Sequence, residues 1–261
     1  MDWSDAYANS THIEGSDAYP PRWAAEATAY RETADGEWGI SYGDDPLQRF
    51  DLIHPSGMAK GLAVFVHGGY WMQTDRDLWT WAAQGAVAAG WAVALPGYVK
   101  APRARVGEIP RAVAKAVALA ADRIPGPIRL AGHSAGGHIV TRMLCADPMD
   151  RIEHVLSISG LHDLRPLMWT DMNQTLNLNE AEAKGESPAL LHPANRPVTA
   201  WVGGAERPVF IDQARALAAM WGGLGLPMRL EIAEGHHHFS VIDGLAQPDS
   251  PITQTFIGDL P

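Results

Sequence analysis

IRLAGHSAGGHIVTRML, from Ile128 to Leu144, decides the fold. The apolar run IRLA has the length and composition of a buried strand. It breaks at Gly132-His133-Ser134-Ala135-Gly136, with Gly137 following, and the chain then takes up an apolar helical pattern. The form is G-x-S-x-G between a strand and a helix, the context this motif needs to present a nucleophile. A sharp strand-to-helix turn strains the serine backbone and exposes its Oγ. Side chains two residues to either side would collide, so glycine stands there. As an ordinary glycine-rich turn, the same residues would make Ser134 a helix cap.

The alternation of elements extends outward from this point. GLAVFVHG (61–68), WAVALPG (91–97), IEHVLSISG (152–160), VTAWVGG (198–204) and MRLEIAEG (228–235) read as further strands. Helical patterns lie between them. Asp75 or Asp77 opens one through AAQGAVAA, and HIVTRMLCA and IDQARALAAMW are two more. Ile109, Val113, Ala116, Val117, Ala120 and Ile124 form an apolar stripe at helical spacing, with Arg111, Lys115 and Asp122 off it. Strands alternating with helices predict an α/β fold with a mostly parallel central sheet and helices on both faces. GEWGISYG (36–43) and LQRFDLIHP (47–55) read as strands at an antiparallel edge. No repeat or linker divides residues 1–261, so one domain is expected. Residues 1–35 and 161–195 do not fit the alternation and are expected to cover the carboxyl edge of the sheet, the second as a small cap.

Composition narrows the function. The chain is 46% hydrophobic, enough for one sizeable core, and its formal net charge of −10 with scattered basic residues argues against a nucleic-acid partner. The start MDWSDAYANS lacks the basic and apolar regions of a secretory signal, and no apolar run is long enough to span a bilayer. A soluble, cytoplasmic protein without a membrane partner is expected, acting on a small molecule. A homodimer is left open. Cys145 is the one cysteine, so no internal disulfide forms, and it reads as a buried small hydrophobe.

A serine hydroxyl needs a base to take its proton, and the developing oxyanion needs donors. The Ala135 amide at the helix start is one donor. His67-Gly68-Gly69-Tyr70-Trp71, after the third strand, supplies others, because glycines let a backbone approach the substrate; each donor is typically worth roughly 3–4 kcal/mol of barrier. The triad order in this architecture is serine, acid, histidine. Glu206, just past VTAWVGG, is the leading acid; Asp163, after VLSISG, competes, and Asp212 reads as helix surface. The base lies beyond the last strand, where EGHHHFSVI (234–242) carries His236, His237 and His238. Neighbouring residues point in different directions, and no zinc motif stands elsewhere, so no metal and no cofactor are expected. Spacing alone does not choose among the three histidines.

HGGYW (67–71), GHSAGGH (132–138), SGLHDLRPL (159–167), ESP (186–188), GGAERPVF (203–210) and HHF (237–239) together resemble the α/β-hydrolase family, and within it the kynurenine formamidases (arylformamidases) and related esterases. The resemblance implies that His238, directly before phenylalanine, is the base. It implies that Glu206 is the acid, where the family usually has aspartate, and that Gly68 and Gly69 serve the oxyanion hole. It implies removal of formate from an aryl formamide such as N-formylkynurenine, or, alternatively, hydrolysis of short acyl esters or thioesters. An aromatic leaving group needs an aromatic wall, for which Tyr70, Trp71 and Trp169 are candidates. His162 stands where many relatives have tyrosine and is a further candidate for substrate contact.

Overall fold

The computed structural model describes residues 1–146 and 148–258. Among these, eight strands form one sheet: β1 (Gly36–Ser41), β2 (Arg49–Ile53), β3 (Leu62–Val66), β4 (Ala92–Pro96), β5 (Ile128–His133), β6 (Ile152–Ile158), β7 (Val198–Gly203) and β8 (Met228–Ala233). Their spatial order is β1-β2-β4-β3-β5-β6-β7-β8. β1 and β2 pair antiparallel at one edge, as expected, β2 is also antiparallel to β4, and β3 through β8 run parallel.

The central strands are apolar throughout because both faces are covered. Leu62, Val64 and Val66 of β3 face one core, with helices Glu108–Ala121, Ala135–Leu144 and Pro208–Gly223 above them. Ala63 and Phe65 face the other, under Tyr19–Arg31, the segment Arg76–Ala88 and Pro251–Ile257. This is the period-two alternation of a strand serving two layers. The stripe from Ile109 to Ile124 is buried as its spacing requires. Asp75 opens its helix by accepting from the Arg76 amide. Tyr19–Arg31 is further tied to the sheet through Asp51, a fully buried carboxylate that takes Arg31 at 2.6 Å and Arg76 at 3.1 Å. No helix among the described residues is long and apolar enough to cross a membrane.

The strand order reverses its direction of growth between β3 and β5. Ligand sites in such sheets gather at that reversal, outside the carboxyl ends of the strands. Here the end of β3 leads into His67-Gly68-Gly69 and the end of β5 into Ser134, with Val66 paired beside Gly132. The turn after β5 is tight. Ser134 has φ 56° and ψ −118°, a strained conformation for a residue with a side chain. A Cβ on Gly132 would lie 2.1 Å from the Gly136 carbonyl oxygen, and one on Gly136 would lie 2.0 Å from that of Val66.

Gly136→Ala is therefore expected to cost more than about 3 kcal/mol, beyond ordinary overpacking. Gly185→Ala, with nothing within 4 Å of the added carbon, is expected to stay within about 0.5 kcal/mol of wild type. Urea unfolding of the two variants measures both. A second expectation concerns acid. Burial lowers His67, His138 and His154 to about 4 and His162 to about 3. Unfolded histidine titrates near ~6.5, so between that pH and about 4 the unfolded chain binds more protons than the folded one. Stability falls as pH falls through this window, by about 1.4 kcal/mol per pH unit for each such histidine. Unfolding free energies at pH 7, 6 and 5 should show this steep decline; a flat profile would refute it.

Candidate active site

The loop after β3 owes its shape to consecutive left-handed residues: Gly69 at φ 101°, Tyr70 at 50° and Trp71 at 59°. Glycine takes this conformation freely; tyrosine and tryptophan do so only under tertiary constraint. The constraints are visible. The Gly69 carbonyl accepts from the Met72 and Gln73 amides at 2.9 and 2.8 Å. The Gly68 carbonyl accepts from Thr74 Oγ1 at 3.1 Å and from His67 Nδ1 at 2.8 Å. The His67 ring stacks on Tyr98, with centroids 4.5 Å apart. A Cβ on Gly68 would stand 2.9 Å from Ser134 Cβ, so the loop lies directly against the serine. Ala135 is the first residue of its helix, and its amide is among those an α-helix leaves without an internal acceptor.

His238 Nδ1 lies 2.6 Å from Glu206 Oε2. A carboxylate accepts, so Nδ1 carries the proton and Nε2 is left as the basic nitrogen. The other carboxylate oxygen accepts from the Gly203 amide at 2.9 Å and from Ser159 Oγ. Doubling the side chain back onto its own strand end accommodates the extra methylene of glutamate. Both members are buried, with side chains 0% and 4% exposed for Glu206 and His238. Phe210 packs on the imidazole with centroids 4.5 Å apart. Asp163, the competing acid, turns away and binds Arg165 at 2.7 Å.

The three consecutive histidines have three different environments. His236 offers its carbonyl to the Ala205 amide at 2.9 Å. His237 Nδ1 accepts from the Phe239 and Ser240 amides at 3.2 and 3.3 Å, so its Nε2 donates to Tyr19 Oη at 3.1 Å. His238 alone reaches an acid. Among the described residues, no group of three or more histidine, cysteine, aspartate or glutamate side chains is placed to hold a metal ion.

Ser134 and His238 line one cavity of about 710 Å³. The N-terminal segment supplies one wall, through Tyr7, Asn9 and Trp23; Thr170 and Met172 supply another. Tyr70, Trp79 and Phe239 add aromatic surface. Of the residues expected to contact substrate, Tyr70 lines the cavity and three do not. Trp71 is fully buried, because its left-handed backbone directs the indole into the core, where Nε1–H donates to His138 Nδ1 at 3.2 Å. His162 is also fully buried, beneath the helix after Ser134, with Ser157 Oγ at 3.2 Å. Trp169 is 71% exposed and points away from the cavity that its neighbours Thr170 and Met172 line. Cys145 is half-buried, its thiol donating to the Thr141 carbonyl and pushed up to about 12 by burial. Sequence reasoning missed Ser159, Phe210 and Trp79. Ser159 had a readable signal, since it ends VLSIS at the carboxyl edge of the sheet, and Phe210 ends the GGAERPVF segment that carries Glu206; Trp79 had none.

Comparisons with known proteins place the chain among proteins of one fold. A kynurenine formamidase from Danio rerio is 26% identical over 235 residues, covering 84% of this chain and 80% of that protein. One from Salmo salar is 27% identical with the same coverage. A solved structure from Silicibacter sp. TM1040, described as a "putative thioesterase", is 45% identical and superposes with a TM-score of 0.94 over 98% of this chain and 99% of that one. Esterase B from Lactobacillus rhamnosis, at 17% identity and a TM-score of 0.70 over 91% of this chain and 89% of that one, shares the fold. A family model described as alpha/beta hydrolase fold matches residues 63–241, and the chain belongs to that family.

Proposed function

We propose that this protein is a serine hydrolase that removes a small acyl group, with aryl formamides such as N-formylkynurenine as the preferred substrates. The observation that carries the reading is the buried Glu206–His238 pair, whose histidine lines the same cavity as Ser134. Ser134 Oγ attacks the formyl carbon and its proton passes to His238 Nε2. The Gly68, Gly69 and Ala135 amides receive the charge on the carbonyl oxygen. Collapse of the tetrahedral intermediate breaks the C–N bond, and His238 returns the proton to the leaving aniline. Water, deprotonated by His238, then releases formate and restores Ser134. Glu206 holds the imidazole tautomer and stabilises the imidazolium.

A formyl group needs little room on the acyl side, so most of the cavity is left for an aromatic leaving group against Tyr70, Trp79 and Phe239. The formamidase relatives support that assignment. The Silicibacter structure favours a second reading, hydrolysis of short-chain acyl esters or thioesters. The same three residues serve either chemistry.

The deciding measurement is kcat/KM for N-formylkynurenine beside p-nitrophenyl acetate and butyrate, with Ser134→Ala as blank. The formamide value is expected to exceed the ester values at least a hundredfold; ester turnover without formamide cleavage moves the protein to the esterases. In the same assay Glu206→Gln is expected to lower kcat by roughly 10⁴. Asp163→Asn, which removes only a contact to Arg165, is expected to stay within threefold of wild type. Loss of turnover in the Asp163 variant alone would reassign the acid.

A further inference from the structure

His133, immediately before the serine, is wired to the base. Its side chain is buried, and Nε2 lies 2.9 Å from the main-chain carbonyl oxygen of His238, 105 residues away in sequence. A carbonyl only accepts, so Nε2 carries the ring proton. Nδ1 is then a bare acceptor, buried and without a hydrogen-bond partner. The His133 ring packs on the His238 ring, with centroids 4.7 Å apart and planes at 41°. Phe210 lies 4.5 Å from the His238 ring, so two rings hold the imidazole while Glu206 holds Nδ1.

The loop that carries His238 joins β8, whose side chains are partly or fully exposed from Met228 to Ala233, to the turn Ser240–Ala246, whose Val241 and Ile242 are buried. The bond from His133 ties its main chain to the strand end that carries the nucleophile. Serine and base are thereby referred to the same two residues, His133 and Ser134.

We propose that His133 is a positioning residue: its Nε2–H fixes the main chain of His238 against the nucleophile turn, and its ring, kept neutral, adds no charge beside the imidazolium formed during turnover. The proposal rests on the reading of Ser134, His238 and Glu206 as catalytic. Neutrality has a structural cause. A second proton would have to sit on Nδ1, in a buried position with no acceptor, against a ring that itself becomes cationic. Burial first, and then the charge of His238, hold the His133 ring well below the ordinary histidine value. Replacement by lysine or arginine would break both conditions at once. Phenylalanine preserves the packing and removes only the donor.

The test compares His133→Phe with His133→Gln, whose side-chain amide can donate to the same carbonyl. Both are assayed with p-nitrophenyl acetate and with N-formylkynurenine. H133F is expected to lower kcat roughly 10- to 100-fold, the range of a small misplacement of a catalytic group. KM should stay within threefold, and H133Q should recover most of the lost kcat. H133F with kcat within threefold of wild type would overturn the proposal, and so would H133Q losing as much as H133F. If H133F shows no cooperative unfolding transition, H133L replaces it under the same criteria. Wild-type protein that turns over neither substrate and is not labelled at Ser134 by a fluorophosphonate would refute the triad reading itself. Esterase activity without formamidase activity leaves this test intact, because the ester assay reports the same kcat.

Discussion

The carbonyl oxygen of Val66 lies 2.0 Å from the position a Cβ on Gly136 would take. That close approach is the constraint on which the site depends. It brings the end of β3 against the first turn of the helix after β5. The chain leaving β3 therefore passes beside Ser134 and cannot swing wide of it. Gly132 meets the same crowding from inside the turn, where a side chain would strike the Gly136 carbonyl. A parallel pair of strands usually ends in loops free to diverge. Here missing side chains hold the two loops in van der Waals contact, and that contact makes one chemical unit of a serine and a row of main-chain amides.

Around that contact, hydrogen bonds to fixed acceptors set the protonation of the histidines. His67 donates to a carbonyl from Nδ1, His133 donates to a carbonyl from Nε2, and His138 donates from Nε2 to the Glu186 carbonyl while accepting from Trp71. Each has one tautomer dictated by partners that cannot exchange roles. Burial holds all three below the ordinary histidine value. His238 differs in its partner: its Nδ1 donates to the Glu206 carboxylate and not to a carbonyl. The fold thus keeps several imidazoles neutral close to the one that is paired with an acid.

Features that depend on local sterics were legible in the sequence. The central β-strands are apolar because both faces are covered, and the glycines of G-x-S-x-G stand where backbone meets backbone, so composition records both directly. The edge could be read because β1 has no fully buried residue and keeps a mixed pattern, while β2 carries the charged Arg49 and Asp51 among its apolar residues. Features that depend on where distant segments meet were harder to read. Glu206 and Asp163 both follow strands, and only the path of the loop carrying His238 separates them. Trp71 and His162 sit inside motifs that lead to the cavity, yet both point into the core: one because of a left-handed backbone, the other because Ser157 and Thr141 enclose it beneath a helix. A motif shows that a segment reaches the site. It does not show which side of the segment faces the substrate.

Tyr70 joins the two halves of the site and explains why the N-terminal segment is more than a cover. Its hydroxyl donates to the Tyr7 carbonyl at 2.5 Å and accepts from Asn9 Nδ2 at 2.8 Å. Tyr7 in turn accepts from Gln213, which also receives the His162 and Asp163 amides, so the segment is pinned to the start of the cap as well. Asn9 and Tyr7 are both buried. The surface pairs of this segment, Asp5 with Arg207 and Arg22 with Asp243, are open to solvent and screened by salt, so they contribute less than the buried hydrogen bonds, each worth about 1 kcal/mol. The same tyrosine that shapes the cavity wall sits next to Gly69 and shares its left-handed backbone run. A change at Tyr7 or Asn9 that releases Tyr70 therefore reaches the Gly68-Gly69 turn through one covalent step. The cavity wall and the turn beside Ser134 are coupled because one left-handed residue belongs to both.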